Sequence, residues 1–190
     1  MGKLIRCISE DGTLTVMAAD TTDIVNRAQE IHGTSAVISA ALGRLLTAAS
    51  LMGSALKGAD DSVTLRINGN GPAGTVLAAS DSHGNVRGYA VNAVVELPLN
   101  DKGKLDVSGA VGKDGFLTVI KDLGLKEPYV GQVPRAAAAR QYAQQHNCPR
   151  DSAVQPASDC PQQEHRAHRR AEDRQRLLVL LIFWKKTAKD

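Results

Sequence analysis

One stretch constrains the fold more than any other. Residues Ala36 to Leu56 read AVISAALGRLLTAASLMGSAL. Apolar side chains cover nearly the whole circumference of a helix drawn through it, and the polar exceptions are mostly Ser and Thr. Ala, Gly and Ser recur, so neighbouring backbone can approach closely. At 1.5 Å per residue the helix would be about 30 Å long. A helix that is apolar all round is either buried or membrane-spanning. Arg44 at its middle, several hydroxyls and two glycines weaken the membrane reading, because an intramembrane Arg costs roughly 2.5–3.5 kcal/mol on insertion scales. The stretch is therefore expected to be a central helix covered by sheet on more than one side. Arg44 is expected to pair with a carboxylate or with helix-end carbonyls.

The flanking sequence supplies the covering layers. Lys3–Ile8 and Thr13–Ala19 alternate apolar and polar residues around the turn signal Glu10-Asp11-Gly12, the pattern of a β-hairpin. Asp20-Thr21-Thr22-Asp23 offers N-caps and two acids for the positive end of a helix dipole. Ile24, Val25, Ala28 and Ile31 then share one helical face, and Gly33 is placed to end that helix as a left-handed cap. Thr34-Ser35 can cap the next one. From Ser62 onward the period is two. Strands are expected from Ser62 to Asn68, Thr75–Ala79, Val86–Val95 and Phe116–Lys121, separated by polar, Gly-containing turns. Strands, two helices, then strands is an α+β order rather than an alternating α/β one.

The chain of 190 residues divides near Pro134. Residues 1–134 carry 12 Lys+Arg and 14 Asp+Glu, a net of −2, whereas residues 135–190 carry 11 and 6, a net of +5. All 17 glycines lie at or before Gly131. A stretch with no turn glycine does not read as more β-rich body. The expectation is a body over 1–134 and a basic, irregular or partly helical tail over 135–190. MGKLIRC has neither the apolar run of a signal peptide nor the Ser/Thr of a myristoylation signal. The longest apolar run, Leu177–Trp184, is far short of the roughly 20 residues of a membrane span. Cys7, Cys148 and Cys160 are odd in number and widely spaced, unlike a secreted disulfide framework. These features predict a cytoplasmic protein that contacts no membrane.

Several motifs have the residue types for chemistry. Gly69–Gly74 (GNGPAG) fits G-x-G-x-x-G, and Glu96 follows at a suggestive spacing, but a dinucleotide fingerprint must open a helix. Thr75-Val76-Leu77-Ala78-Ala79 is β-like, so the glycines read as a turn. Cys148, Cys160, His165 and His168 cluster in the tail, yet eleven residues separate the two cysteines, and no metal site is assigned. Arg166–Arg176 could meet nucleic-acid phosphates, but Glu172 and Asp173 interrupt it and no aromatic is interleaved; a solvated helix is the preferred reading. Aromatic content of 3% argues against stacked-base binding. Leu177–Trp184 would be a sticky patch without a partner. No Ser/His/Asp, Cys/His or paired-carboxylate set has persuasive spacing, and the body's only histidines, His32 and His83, fall at turns. No catalytic, cofactor-binding or metal residue is assigned, and no enzyme is expected.

At HGTSAVISAALGRLLTAASLMGSALKG (His32–Gly58) the sequence closely resembles the 33-kilodalton heat-shock chaperonin family, the redox-regulated holdases of bacteria. The resemblance continues through INGNGPAGTV, DSHGNVRGYAVN, LPLNDKGKLDVSGAVGKDG and LTVIKDLGLKEPYVGQVP, covering most of residues 3–134. It implies a layered β/α/β N-terminal domain with a buried helix. It also implies an ATP-independent holdase that binds unfolded client proteins under oxidative or heat stress, with a homodimer allowed. Family members carry four zinc-binding cysteines, in C-x-C and C-x-x-C, in a C-terminal domain. Zinc keeps that domain folded and the protein inactive; oxidation to disulfides releases zinc and unfolds it.

After Pro134 the sequence departs from the family pattern. Neither C-x-C nor C-x-x-C occurs in the 190 residues, so no zinc ligand is carried over and no cofactor is expected. The abrupt exchange of Gly for Arg and Gln suggests out-of-frame translation. The reading is a truncated client-binding domain without its redox switch. The alternatives are a non-functional frameshift product, a nucleotide-binding enzyme using Gly69–Gly74, and nucleic-acid binding through the tail.

Overall fold

A computed structural model describes residues 3–8, 10, 14–134 and 178–184. Strands β1 (Lys3–Ile8) and β2 (Leu14–Asp20) form the expected antiparallel hairpin, in register from Lys3 opposite Asp20 to Ile8 opposite Thr15. Helices α1 (Thr22–His32) and α2 (Ala36–Gly53) follow. Then come β3 (Ser62–Asn68), β4 (Thr75–Asp81), β5 (Val86–Ala90), the short α3 (Val107–Val111), β6 (Phe116–Asp122) and β7 (Tyr129–Pro134). The last described element is β8 (Leu178–Trp184).

Two sheets enclose α2. One has the order β5-β4-β3-β6-β7, the other β1-β2-β8, and all their pairings are antiparallel. One side of α2 packs Val37, Ile38, Leu42, Leu45, Leu46 and Ala49 against Val63, Leu65, Val76 and Ala78 of the larger sheet. On its other side, Leu51 is buried with Met17 and Ala19 of β2. The cover by sheet on more than one side expected from the all-round apolar helix is what the chain adopts, and the layering is the β/α/β one that the resemblance implies. By length and composition α2 could cross a membrane, with a mean hydropathy of 1.5 over its 18 residues, but here it is core.

Small residues let the layers close. A methyl at Gly43 would come within 2.9 Å of Val25 on α1, and one at Gly53 would overlap Ser80 Oγ and the Asp81 carbonyl. Gly33 ends α1 at φ 59°, donating its N–H to the Gln29 carbonyl. The caps differ from expectation in detail. Thr21 occupies the N-cap of α1 without capping it; its hydroxyl bonds Thr47 instead, at 2.6 Å. Asp20 takes over, its Oδ1 accepting from Thr22 N–H and Thr22 Oγ1. Ser35 sits at the N-cap of α2 but directs its hydroxyl to Val95, donating to the carbonyl at 2.9 Å and accepting from the N–H at 3.1 Å. That stitch, together with Ser35 N–H to the Ala93 carbonyl, draws residues 93–95 out of the sheet. It explains why β5 ends at Ala90 rather than running on to Val95.

Arg44 is half-buried, and burial in apolar surroundings pulls its pKa down. The expected carboxylate or carbonyl partner is absent among the described residues. It falls on α2 in the row Ala40, Arg44, Ala48, Met52, all incompletely buried.

Candidate functional site

The glycine turn offers no helix to an anion. Gly69–Gly74 joins the antiparallel strands β3 and β4, and the strand Thr75–Asp81 follows at once. Its glycines serve a different contact. Gly71 donates its N–H to the Val111 carbonyl and Ala73 to the Ala110 carbonyl. Any side chain at Gly69 or Gly71 would strike the backbone of Val111–Gly112. The close approach that a fingerprint glycine would give to a pyrophosphate is occupied here by the protein's own α3. Asp106 anchors α3 by accepting from Gly109 N–H at 2.8 Å.

A concave feature lies elsewhere. A cleft of about 1170 Å³ opens between α1, the N-terminal hairpin and the edge strand β5. Ile24, Ala28 and Ile31 of α1 line it, at the helical spacing that marked them as an inward face. That face is not sealed: α1 has no buried residue, and Ile31 is 61% exposed. Leu4 of β1, 42% exposed, and Tyr89 of β5, 46% exposed, continue the apolar lining. Its charged lining is of mixed sign, with Lys3, Arg27 and Arg87 alongside Asp20 and Asp23. His32 and His83, which the sequence placed only at turns, both reach this lining. Their convergence had no signal in their spacing. Asp81, just before His83, accepts from the N–H groups of His83 and Asn85 and from the Asn85 side chain. The Asn85 side-chain bond, followed by the backbone bonds and the charge of His83, holds the Asp81 carboxyl below its ordinary value.

Further apolar side chains lie open beyond the cleft. All six residues of β1 are exposed, Ile5 and Ile8 included. On the face of the larger sheet away from α2, the register places Phe116 and Ile120 of β6 beside Pro134 and Val130 of β7. Phe116, Tyr129 and Val130 are exposed. Among the described residues, no group of three or more His, Cys, Asp or Glu side chains gathers as a metal would need. Cys148, Cys160, His165, His168 and Arg166–Arg176 lie outside the described residues.

Open apolar surface rimmed by polar groups, as in this cleft, is the kind of surface found at protein, membrane or ligand interaction sites. Comparison with known proteins names the group. The sequence pattern described as Hsp33 protein matches residues 2–146, and the chain belongs to that family. It is similar to the 33 kDa chaperonin of Clostridium tetani, 54% identical over 132 residues, which is 70% of this chain and 45% of that protein. A 33 kDa chaperonin of Clostridium botulinum is 52% identical over the same length and shares. Among solved structures, the 33 kDa chaperonin (heat shock protein 33 homolog) of Thermotoga maritima superposes with a TM-score of 0.68 at 38% identity. It covers 76% of this chain and 51% of that one. The chain thus spans about half the length of the relatives it matches, and the match runs past Pro134 to residue 146.

Proposed function

We propose that this chain is an ATP-independent holdase, a chaperone domain that captures unfolded protein on open apolar surface and catalyses no reaction. The α1 cleft carries the reading. A helix whose apolar face is left half-open toward a cleft of about 1170 Å³ has apolar area to offer a guest. Burial at about 25 cal/mol per Å² rewards any apolar segment without selecting a sequence. The mixed charges at the rim suit clients of either sign. Unfolded cytoplasmic proteins are the partners, and stress that unfolds them is the occasion. Self-association into a homodimer fits the exposed β1.

The activity is constitutive. Zinc gating needs closely spaced thiolates that close and open a module, and the three cysteines here have no such spacing. The test is light scattering of thermally aggregating citrate synthase with the full chain, without ATP, with and without peroxide. Equal protection in both conditions is expected. Protection that appears only after peroxide would overturn the ungated reading, and no protection in either condition would overturn the holdase reading.

A further inference from the structure

We propose that the side of β2 facing away from β1 is a strand-acceptor slot for extended apolar polypeptide, with Leu178–Trp184 its resident and exchangeable occupant. The inference deepens the holdase reading, on which its choice of client rests.

The two neighbours of β2 differ in kind. β1 reaches it through a hairpin and has no distance to go. β8 pairs along the whole of β2, from Leu14 opposite Trp184 to Asp20 opposite Leu178. It does so from the far end of residues 135–177. Pairing across that many intervening residues costs more loop-closure entropy than closing the β1–β2 hairpin, so β8 is the neighbour that a competitor displaces more readily.

The occupant also resembles a client. LVLLIFW has no charge, no Gly and no Pro, the composition of a segment that seeks strand partners when exposed. It lies beyond the residues that match the family pattern, 2–146. The slot thus accepts a strand on main-chain hydrogen bonds and apolar character, the economy of strand addition, in which the ladder supplies affinity. The floor is already apolar. Met17 and Ala19 of β2 are buried with Leu51 of α2, and α2 packs against both β2 and β8. A strand laid along β2 therefore gains both a ladder and contact with the core helix. The ligand class is an extended, uncharged apolar segment of about seven residues, the footprint of β8 itself.

The test uses the full chain and a fluorescein-labelled peptide of the Leu178–Trp184 sequence flanked by lysines. In a background with the three native cysteines changed to Ser, Thr15→Cys with Phe183→Cys joins register partners and locks β8 down when oxidised. A second variant, Leu180→Pro with Leu181→Pro, strips β8 from the ladder. Successive N–H groups point to opposite sides of a strand, so one of the two must face β2. Peptide affinity at least tenfold lower for the locked than for the reduced form is expected, and at least tenfold higher for the proline variant than for the parent. Equal affinity across all forms would overturn the slot. Citrate synthase protection undiminished by the lock would overturn its use for clients. Lock-sensitive peptide binding with no protection by any form would support the slot and overturn the holdase reading alone.

Discussion

Thr21 Oγ1 and Thr47 Oγ1 lie 2.6 Å apart, both buried, and join the start of α1 to the middle of α2. Thr47 also donates to the Gly43 carbonyl at 2.8 Å. A hydroxyl has one proton, so Thr21 must be the donor of the shared bond. The two ends are therefore unequal. Thr47→Val strands a buried donor on Thr21 and should cost about 1–3 kcal/mol, whereas Thr21→Val leaves only a spare acceptor lone pair and should cost less. The double variant should recover part of the Thr47→Val loss. Urea unfolding of the three variants checks the order.

Gly53 and Gly43 separate helix propensity from packing. Alanine improves an exposed helix by about 1 kcal/mol over glycine. At Gly53 the new methyl meets Ser80 Oγ and the Asp81 carbonyl, and backbone cannot step aside. Gly53→Ala should therefore destabilise by about 1–3 kcal/mol. At Gly43 the obstacle is the Val25 side chain, so Gly43→Ala should cost less. A lower thermal midpoint for Gly53→Ala than for Gly43→Ala is the expected result.

Arg44 should be dispensable for stability. Burial weakens its charged form, and the described residues offer it no ion pair. Replacing such a charge by an apolar side chain of similar length is often neutral or stabilising. Arg44→Met should leave unfolding free energy within about 1 kcal/mol of the parent or raise it. A larger loss would mean that the guanidinium has a partner in the tail.

The Asp81 turn should give way in acid. Its folded pKa is depressed, so its contribution is fully present above the ordinary carboxylate pKa and is lost as pH falls through the lower folded value. Carboxyl carbon NMR should place the Asp81 titration below that of Asp in an unfolded peptide. Asp81→Asn should remove this part of the acid dependence and loosen the β4–β5 turn. An unshifted titration would contradict the hydrogen bonds described for the turn.

Charging the cleft should separate capture from folding. Ile31 and Leu4 are exposed, so Ile31→Lys with Leu4→Lys should change stability by about 0.5 kcal/mol or less per site. Citrate synthase protection should fall several-fold if the cleft holds clients. Full protection with both lysines in place would move the capture surface elsewhere.

Much of this architecture was legible in residue order. The all-round apolar character of Ala36–Leu56 demanded layers on both sides, and the alternation of flanking strands supplied them. The misses have physical causes. α3 was invisible because VSGAV carries a central Gly and no helical periodicity; only Asp106, three residues before Gly109, signalled a cap. β7 was missed because its six residues are all outside the core and lack a clean alternation of buried and open sites. The partner for Leu177–Trp184, left open by the sequence, proved to be β2 over Leu178–Trp184. The cleft was half legible. The face Ile24, Ala28, Ile31 could be read, but that it would remain open depends on where β5 and the hairpin come to rest, which local pattern does not encode.

The doubled Ser35–Val95 bond makes the two walls of the cleft unequal. The β5 wall is knitted into a five-stranded sheet, and the chain leaving it is tied to the start of α2. The α1 wall has no buried residue and leans on the core through the Thr21–Thr47 pair, the Val25–Gly43 notch and the partly buried Ile24 and Ala28. The groove resembles a vice with one jaw bolted more firmly than the other.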